Sequence, residues 1–345
     1  MLTILSRKIR KVSEGWLGDS TKWPEGQAKP CDLRRRDSQF YRMMNNTFSP
    51  HSSDIQFLNC RNGQSGSIWG YKMTGSNFIR TALFAFGMAV SGTMPSFAET
   101  IKHQTQFSVR FGGLEIGVAK FDIQFDEKSY QLVGSGKTTG LVQWFAPSTG
   151  RFVSAGEMIE NQLRPTKHEV SVKERKKSEE SVRLAFANES ITDVQIKSIK
   201  PRKKREAPNY VPVQAQHMAK VLDPVSTLIV PMSGTDARSG KKVCDQRFPV
   251  FDGETRYDIK LSYKSTKPVK TSGYNGNAYV CQMRYIPVAG HKKGHRTVKE
   301  MASNKNMEIW LAPMAGVSVF TPIQIRIGTK FGRFVASPKY FGPAG

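Results

Sequence analysis

Residues 134–140, GSGKTTG, set a lysine and two threonines behind a pair of glycines, the residue types of a phosphate cradle. Such a cradle needs a further glycine five positions before Gly136, where bare backbone wraps the phosphates. Gln131 stands there instead, so the segment reads as a glycine-rich strand or turn. His291 and His295, in GHKKGHR, are close enough to share a metal ion, yet lysines and an arginine surround them and the local sequence offers no carboxylate or thiolate. They read as a solvated loop. Asp252, Glu254 and Asp258 in VFDGETRYD could act as an acid/base pair, but Asp252-Gly253 between apolar stretches is a hairpin turn signal. Serines and histidines are present without the G-x-S-x-G elbow that would expose a nucleophile. These residues predict a protein that is not an enzyme and holds no cofactor or metal.

Cys244 and Cys281 lie in or beside strand-like runs, VCDQRF and YVCQMRY. Antiparallel neighbours could bring their Cα atoms within about 7 Å, and in an oxidising compartment the simplest outcome is a disulfide. Two buried free thiols, or redox or metal chemistry, are the alternatives.

The compartment is indicated by residues 73–98, MTGSNFIRTALFAFGMAVSGTMPSFA. Arg80 supplies the positive charge, the following dozen residues an apolar run, and Ser96-Phe97-Ala98 the small side chains a signal peptidase reads. Cleavage is expected between Ala98 and Glu99. Because export reads such a signal at an N-terminus, Met73 is expected to be the true start. Residues 1–72, rich in Arg, Asn, Gln and Ser with no sustained period of 2 or 3.6, are expected to be a spurious or disordered extension. An uncleaved signal anchor and a buried core helix are the other readings of 73–98. The run is short for a bilayer of about 30 Å.

The chain of 345 residues carries 52 Lys+Arg against 28 Asp+Glu, a net charge of +24. Residues 99–345 hold 39 of those basic and 22 of those acidic residues, so the surplus belongs to the exported part. Its densest stretch is KSIKPRKKR at 197–205, where Lys197, Lys200, Arg202, Lys203, Lys204 and Arg205 are basic. In the cytosol such a run suggests nucleic acid. Export removes that partner and leaves lipid headgroups or anionic envelope polymers, and the plainer reading is a solvated, mobile loop between strands.

Few elements are needed to position these groups. Residues Ile101–Phe111 alternate cleanly, with Ile101, His103, Thr105, Phe107, Val109 and Phe111 on one face, as a half-buried antiparallel strand does. After Gly112-Gly113 the alternation resumes at Leu114 and changes parity near Gly117, which predicts a bulge or bend. Further strand-like runs lie at 130–133, 169–174, 181–187, 194–199, 248–263, 278–286, 307–311, 323–329 and 333–336. Residues 213–232 predict two short helices in series. Val221, Val225, Leu228 and Met232 share one helical face, and Asp223-Pro224 caps the second helix. The expectation is a mainly β domain over 99–345, a single antiparallel, strongly curved sheet or open barrel with one or two short packed helices.

Several stretches carry a family resemblance: CDQRFPVFDGETRYDIKL (244–261), AYVCQMRYIPVAGHKKG (278–294), MEIWLAP followed by TPIQIRIGTKFG (307–332), LDPVSTLIV (222–230) and the turn GGLEIG. In these the chain resembles the domain-of-unknown-function 3108 family of exported proteobacterial proteins, over most of 99–341 and none of 1–72. The resemblance implies a periplasmic, mainly antiparallel β protein, with a curved sheet similar to lipoprotein-carrier folds. It brings no catalytic residues.

The expected function is a periplasmic, non-enzymatic role in envelope maintenance, membrane-anchored if the leader is uncleaved. The curved sheet would shelter an apolar groove for a lipid, a lipoprotein or another envelope component. The inward faces would line it with Phe107, Val109, Phe111, Phe121, Ile123, Tyr257, Ile259, Trp310, Ile325 and Ile327. The alternative is an interaction module that binds a protein or an anionic polymer through its basic face.

Overall fold

A computed structural model describes residues 100–126, 128–174, 178–198 and 209–345. The leader, its cleavage site at Ala98 and Glu99, and five cations of the basic run (Lys200, Arg202, Lys203, Lys204 and Arg205) lie outside the described residues.

The first seven strands follow one another as hairpins: β1 (Ile101–Phe111), β2 (Leu114–Asp126), β3 (Ser129–Thr138), β4 (Ser148–Ile159), β5 (Gln162–Glu174), β6 (Ser178–Ala187) and β7 (Ser190–Lys197). The remainder comprises β8 (Tyr210–Val211), β9 (Val230–Pro231), β10 (Arg247–Phe251), β11 (Arg256–Thr271), β12 (Tyr274–Ala289), β13 (His291–Lys292), β14 (Met307–Pro313), β15 (Val319–Thr329) and β16 (Gly332–Pro343). Fourteen of the strands form one antiparallel sheet in the order β10-β11-β12-β14-β15-β16-β1-β2-β3-β4-β5-β6-β7, with β9 added on β15. β1 pairs with β16, so the two ends of the domain meet in the middle of the sheet. β8 and β13 make a separate two-stranded ribbon.

The sheet is not closed into a barrel, because its edges β7 and β10 are not hydrogen-bonded to each other. They nevertheless approach. Phe251 at the end of β10 packs in one cluster with Val182 and Leu184 of β6 and Ile191 of β7. Residues 219–222 span the gap, bridging to Ser190 at one end and to Val250 at the other. A strongly twisted sheet of this width curls rather than staying flat, which buries one face of nearly every strand inside a lumen.

Local chemistry explains the bends. In β1 and β2, Val109 faces Gly117 while Arg110 faces Glu115, so Ile116 is the extra residue of a bulge beside the glycine where the alternation changes parity. Gly134 in β3 leaves room for the Phe152 ring, since a Cβ there would sit 2.0 Å from it. The GSGKT stretch is therefore ordinary strand. Asp252 takes the backbone N–H of Glu254 and of Thr255, and Gly253 adopts φ +92°, making the hairpin turn between β10 and β11.

Residues 213–232 bear out two short helices in series and correct their type and length. They hold only two short 3₁₀ turns, Ala215–Met218 and Ser226–Leu228, before the chain extends into β9. Asp223 does cap the second turn, accepting from Val225 N at 2.9 Å and Ser226 N at 3.0 Å. The apolar residues spaced like a helical face are there because the segment crosses the lumen and meets sheet on several sides: Val221 packs against β6 and β7, and Val225 against β1–β4. Three short α-helices lie elsewhere, α1 (Leu141–Phe145), α2 (Gly240–Cys244) and α3 (Arg296–Ser303). No described helix is long and apolar enough to cross a membrane.

Cys244 at the end of α2 and Cys281 in β12 form a disulfide, with Cα atoms 5.3 Å apart and both residues fully buried. It fixes the α2 segment to the sheet and closes a loop of 37 residues in sequence separation.

Candidate apolar binding cavity

The lumen is plugged at one end and hollow at the other. The plug is the segment after Asp223. Val225 and Ile229 are fully buried against Phe125, Tyr130 and Leu132, near the turn between β2 and β3. What holds it is a buried polar network centred on Asp223, which is completely enclosed. Ser154 of β4 donates to Asp223 Oδ1 at 2.7 Å, and Ser226 donates to Oδ2. His168 of β5 places Nδ1 3.0 Å from Asp223 and 2.8 Å from Ser154 Oγ, and Tyr130 OH lies 2.8 Å from Ser226 Oγ. Burial alone would raise the Asp223 pKa, but His168 and the hydrogen bonds from His168, Ser154 and Ser226 outweigh it and hold the carboxyl at about 2. Burial first, and the Asp223 charge second, push the Tyr130 phenol well up.

Ser, His and Asp together invite comparison with a nucleophilic triad, and the geometry argues otherwise. The Ser154 proton is directed at Asp223, so His168 Nδ1 must act as donor and cannot take that proton as a base. All three side chains are buried, with exposures of 0%, 3% and 0% for Ser154, His168 and Asp223. The set is an anchor for the plug. Sequence reasoning recovered only its Asp-Pro cap, because residues 154, 168 and 223 lie on separate elements and carry no shared motif.

Above the plug lies a cavity of about 720 Å³. Its walls come from every strand of the large sheet except β6 and β7, with Phe107, Phe121, Phe152, Tyr257, Ile259 and Ile327 among them. Pro224, Thr227 and Leu228 of the plug form part of the lining. Val109, Phe111, Ile116 and Ile325 face the interior yet are only half-buried, because they border empty space rather than other side chains. Such a volume, lined mainly by carbon, is in the range of small-molecule sites and suits an apolar guest.

Of the residues expected on the inward faces, Phe107, Val109, Phe111, Phe121, Tyr257, Ile259, Ile325 and Ile327 line the cavity. Trp310 does not. In β14 its neighbours Ile309 and Leu311 are the buried ones, so alternation turns Trp310 to the opposite face, where the Arg326 guanidinium lies 4.5 Å from its ring. Ile309 is the member of β14 that reaches the cavity. Ile123 is buried below it and borders a separate void of about 20 Å³.

The other candidate groups are structural or peripheral. Asp258 is buried and paired with Arg247 and Arg256. His291 belongs to the β8–β13 ribbon and His295 precedes α3. Among the described residues no cluster of His, Cys, Asp or Glu could hold a metal ion. Lys197 ends β7.

The end of the sheet opposite the plug carries the turns that border the cavity. Thr138 at the end of β3, and Val142, Phe145, Ala146 and Pro147 in the connection between β3 and β4, line its mouth. Neighbouring turns are tied to this connection and to one another: Thr139 N donates to Ile116 O at 3.1 Å, and Gly112 N to Arg333 O at 3.0 Å. Leu114, Leu141, Trp144 and Phe331, all in or beside these turns, are 65%, 72%, 85% and 47% exposed.

No curated protein matches the chain. Among solved structures it is similar to a beta-barrel-like protein of domain of unknown function DUF1849 from Brucella abortus. Identity is 7% and the TM-score 0.39, over 71% of this chain and 98% of that one. A family model described as "Protein of unknown function (DUF3108)" matches residues 106–337, which take in both walls of the cavity, the plug and the disulfide. The chain belongs to the DUF3108 family.

Proposed function

We propose that this protein is a non-catalytic carrier or receptor for the apolar part of an envelope lipid or lipoprotein, working in the periplasm. The observation that carries the reading is the cavity of about 720 Å³, walled by aromatic and aliphatic side chains from most of the sheet. A fold under selection only for stability would fill such a volume, since each unfilled methyl-sized space costs about 1 kcal/mol. The guest is apolar because none of the described lining residues brings a buried charge into the space. The polar lining residues, such as Ser135, Lys137, Thr138, Arg151 and Glu174, belong to strand ends near the mouth, where a headgroup would sit. The leader-like segment 73–98 and the buried Cys244–Cys281 disulfide support an oxidising, exported address. The absence of chemistry is supported by the Ser154–His168–Asp223 network, whose serine is engaged and enclosed.

The test is binding of a fluorescent fatty acid to the purified full-length protein, with competition by unlabelled palmitate. Saturable enhancement that palmitate reverses is expected. A probe that stays free in the presence of folded protein contradicts the reading.

A further inference from the structure

Most exposed hydrophobic side chains on a soluble protein are scattered, and a cluster at one end asks for a partner. Of the large hydrophobics that stand out into solvent, Leu114, Leu141, Trp144 and Phe331 gather at the cavity mouth. The turns that carry them are held side by side by backbone hydrogen bonds, from Gly112 to Arg333 and from Thr139 to Ile116. Helix α1 contributes two of them; it meets β2 and, through Val142 and Phe145, the cavity mouth, while Leu141 and Trp144 stand out into solvent. Neither Leu141 nor Trp144 lines the cavity, so packing of its wall does not account for them.

Cations outnumber carboxylates around this apolar rim. Arg110 and Arg333 sit on the strands leading to the Leu114 and Phe331 turns, and Lys137, Arg151 and Lys173 towards the same end of β3, β4 and β5, all exposed, against Glu115 beside Leu114 and Glu174 at the mouth. An indole with apolar side chains, fringed by lysine and arginine, is the composition that settles at the interface of a bilayer carrying negative headgroups.

We infer that the rim formed by Leu114, Leu141, Trp144 and Phe331 is a docking surface for an anionic lipid leaflet. Trp144 and Leu141 enter the headgroup region, the flanking arginines and lysines meet lipid phosphates, and the cavity mouth is brought to the level from which an acyl chain can slide in. What passes through the mouth rests on the carrier reading above; the docking itself does not.

The experiment uses the full-length chain with vesicles of phosphatidylcholine alone and of phosphatidylcholine mixed with phosphatidylglycerol. Co-sedimentation is read together with quenching of tryptophan fluorescence by brominated acyl chains. Because the chain has five tryptophans, the quenching is assigned by difference against Trp144→Phe. Binding is expected to the mixed vesicles and not to the neutral ones, to weaken as salt is raised, and to show quenching that Trp144→Phe removes. The double substitution Leu141→Ser with Trp144→Ser should weaken partitioning roughly tenfold or more. Fatty-acid binding from solution should persist in that variant, which shows that it is folded and separates a failure of docking from a failure of the carrier reading. Vesicle binding that the double substitution leaves unchanged, or quenching that does not reside at Trp144, would overturn the inference by locating membrane contact elsewhere, residues 73–98 included. Equal binding to neutral vesicles overturns the charge argument. Concentration-dependent dimers that the double substitution abolishes, with no vesicle binding, would make the rim a self-interface instead.

Discussion

Replacing Val109 with tryptophan should move stability and ligand affinity in opposite directions. Val109 points into the lumen from β1 and is only half-buried, because part of its surface faces the cavity. An indole placed there has somewhere to go. It gains on the order of 100 Å² of buried apolar surface over valine, and at about 25 cal/mol per Å² that gives about 2.5 kcal/mol before side-chain entropy, with a net gain of about 1 kcal/mol. The same ring displaces part of any guest. If about four methylenes of an acyl chain are excluded at about 0.8 kcal/mol each, the loss is about 3 kcal/mol, or roughly a hundredfold in affinity. Urea unfolding followed by far-UV circular dichroism reads the first quantity and fatty-acid titration the second. Ile229→Trp supplies the contrast: Ile229 is fully buried in the plug and borders no cavity, so overpacking there should cost about 1–3 kcal/mol. The reasoning fails if Val109→Trp destabilises as Ile229→Trp does, or if fatty-acid affinity is unchanged.

Asp223→Asn should cost about 3–5 kcal/mol in urea unfolding, because it leaves His168 and two buried hydroxyls facing an amide in place of a carboxylate; a loss below about 1 kcal/mol would show that the network does not hold the plug. Since its carboxyl is held at about 2 against an ordinary 3.8, Asp223 contributes its stability above pH 4, about 2 kcal/mol that disappears as pH falls through 2. His103 acts earlier. Burial lowers its pKa from 6.5 to about 4, so the unfolded chain binds a proton over that window that the folded chain refuses. Stability should therefore fall by about 3 kcal/mol between pH 6.5 and 4, and His103→Phe should flatten that slope in urea melts taken across it. Reducing the Cys244–Cys281 disulfide should remove on the order of 4 kcal/mol, read as a lower unfolding midpoint with reductant, while Cys244→Ser with Cys281→Ser should melt at the same point with or without it.

Much of the sheet could be read where a strand has one wet and one dry face. β1 shows this best: its alternation from Ile101 to Phe111 matches the strand's bounds, and the parity change near Gly117 marks a true bulge. β4 was invisible, because Gly150, Gly156 and two serines interrupt STGRFVSAGEMI and leave Phe152 as its one large inward side chain. The plug carries the spacing of a longer helical face, though it holds only short 3₁₀ turns, because residues touching several walls of a lumen can mimic a helical period. Trp310 does not join the inward faces, because the parity of β14, with Ile309 and Leu311 buried, turns it the other way. The Asp223 anchor needed three dimensions, since nothing in the sequence joins residues 154, 168 and 223. The inward aromatics of the cavity could be named from alternation, but whether they met as packed core or enclosed a space depends on how far the sheet curls, and that is a property of all fourteen strands together.

Native mass spectrometry of the full-length protein, purified without detergent, would decide whether the cavity serves a ligand. The wild type should carry a lipid-sized adduct that organic extraction removes and added fatty acid restores, and Val109→Trp should carry far less of it. Wild-type protein that is bare, and stays bare when fatty acid is supplied, would mean that the space is an unfilled core and that the carrier reading is wrong.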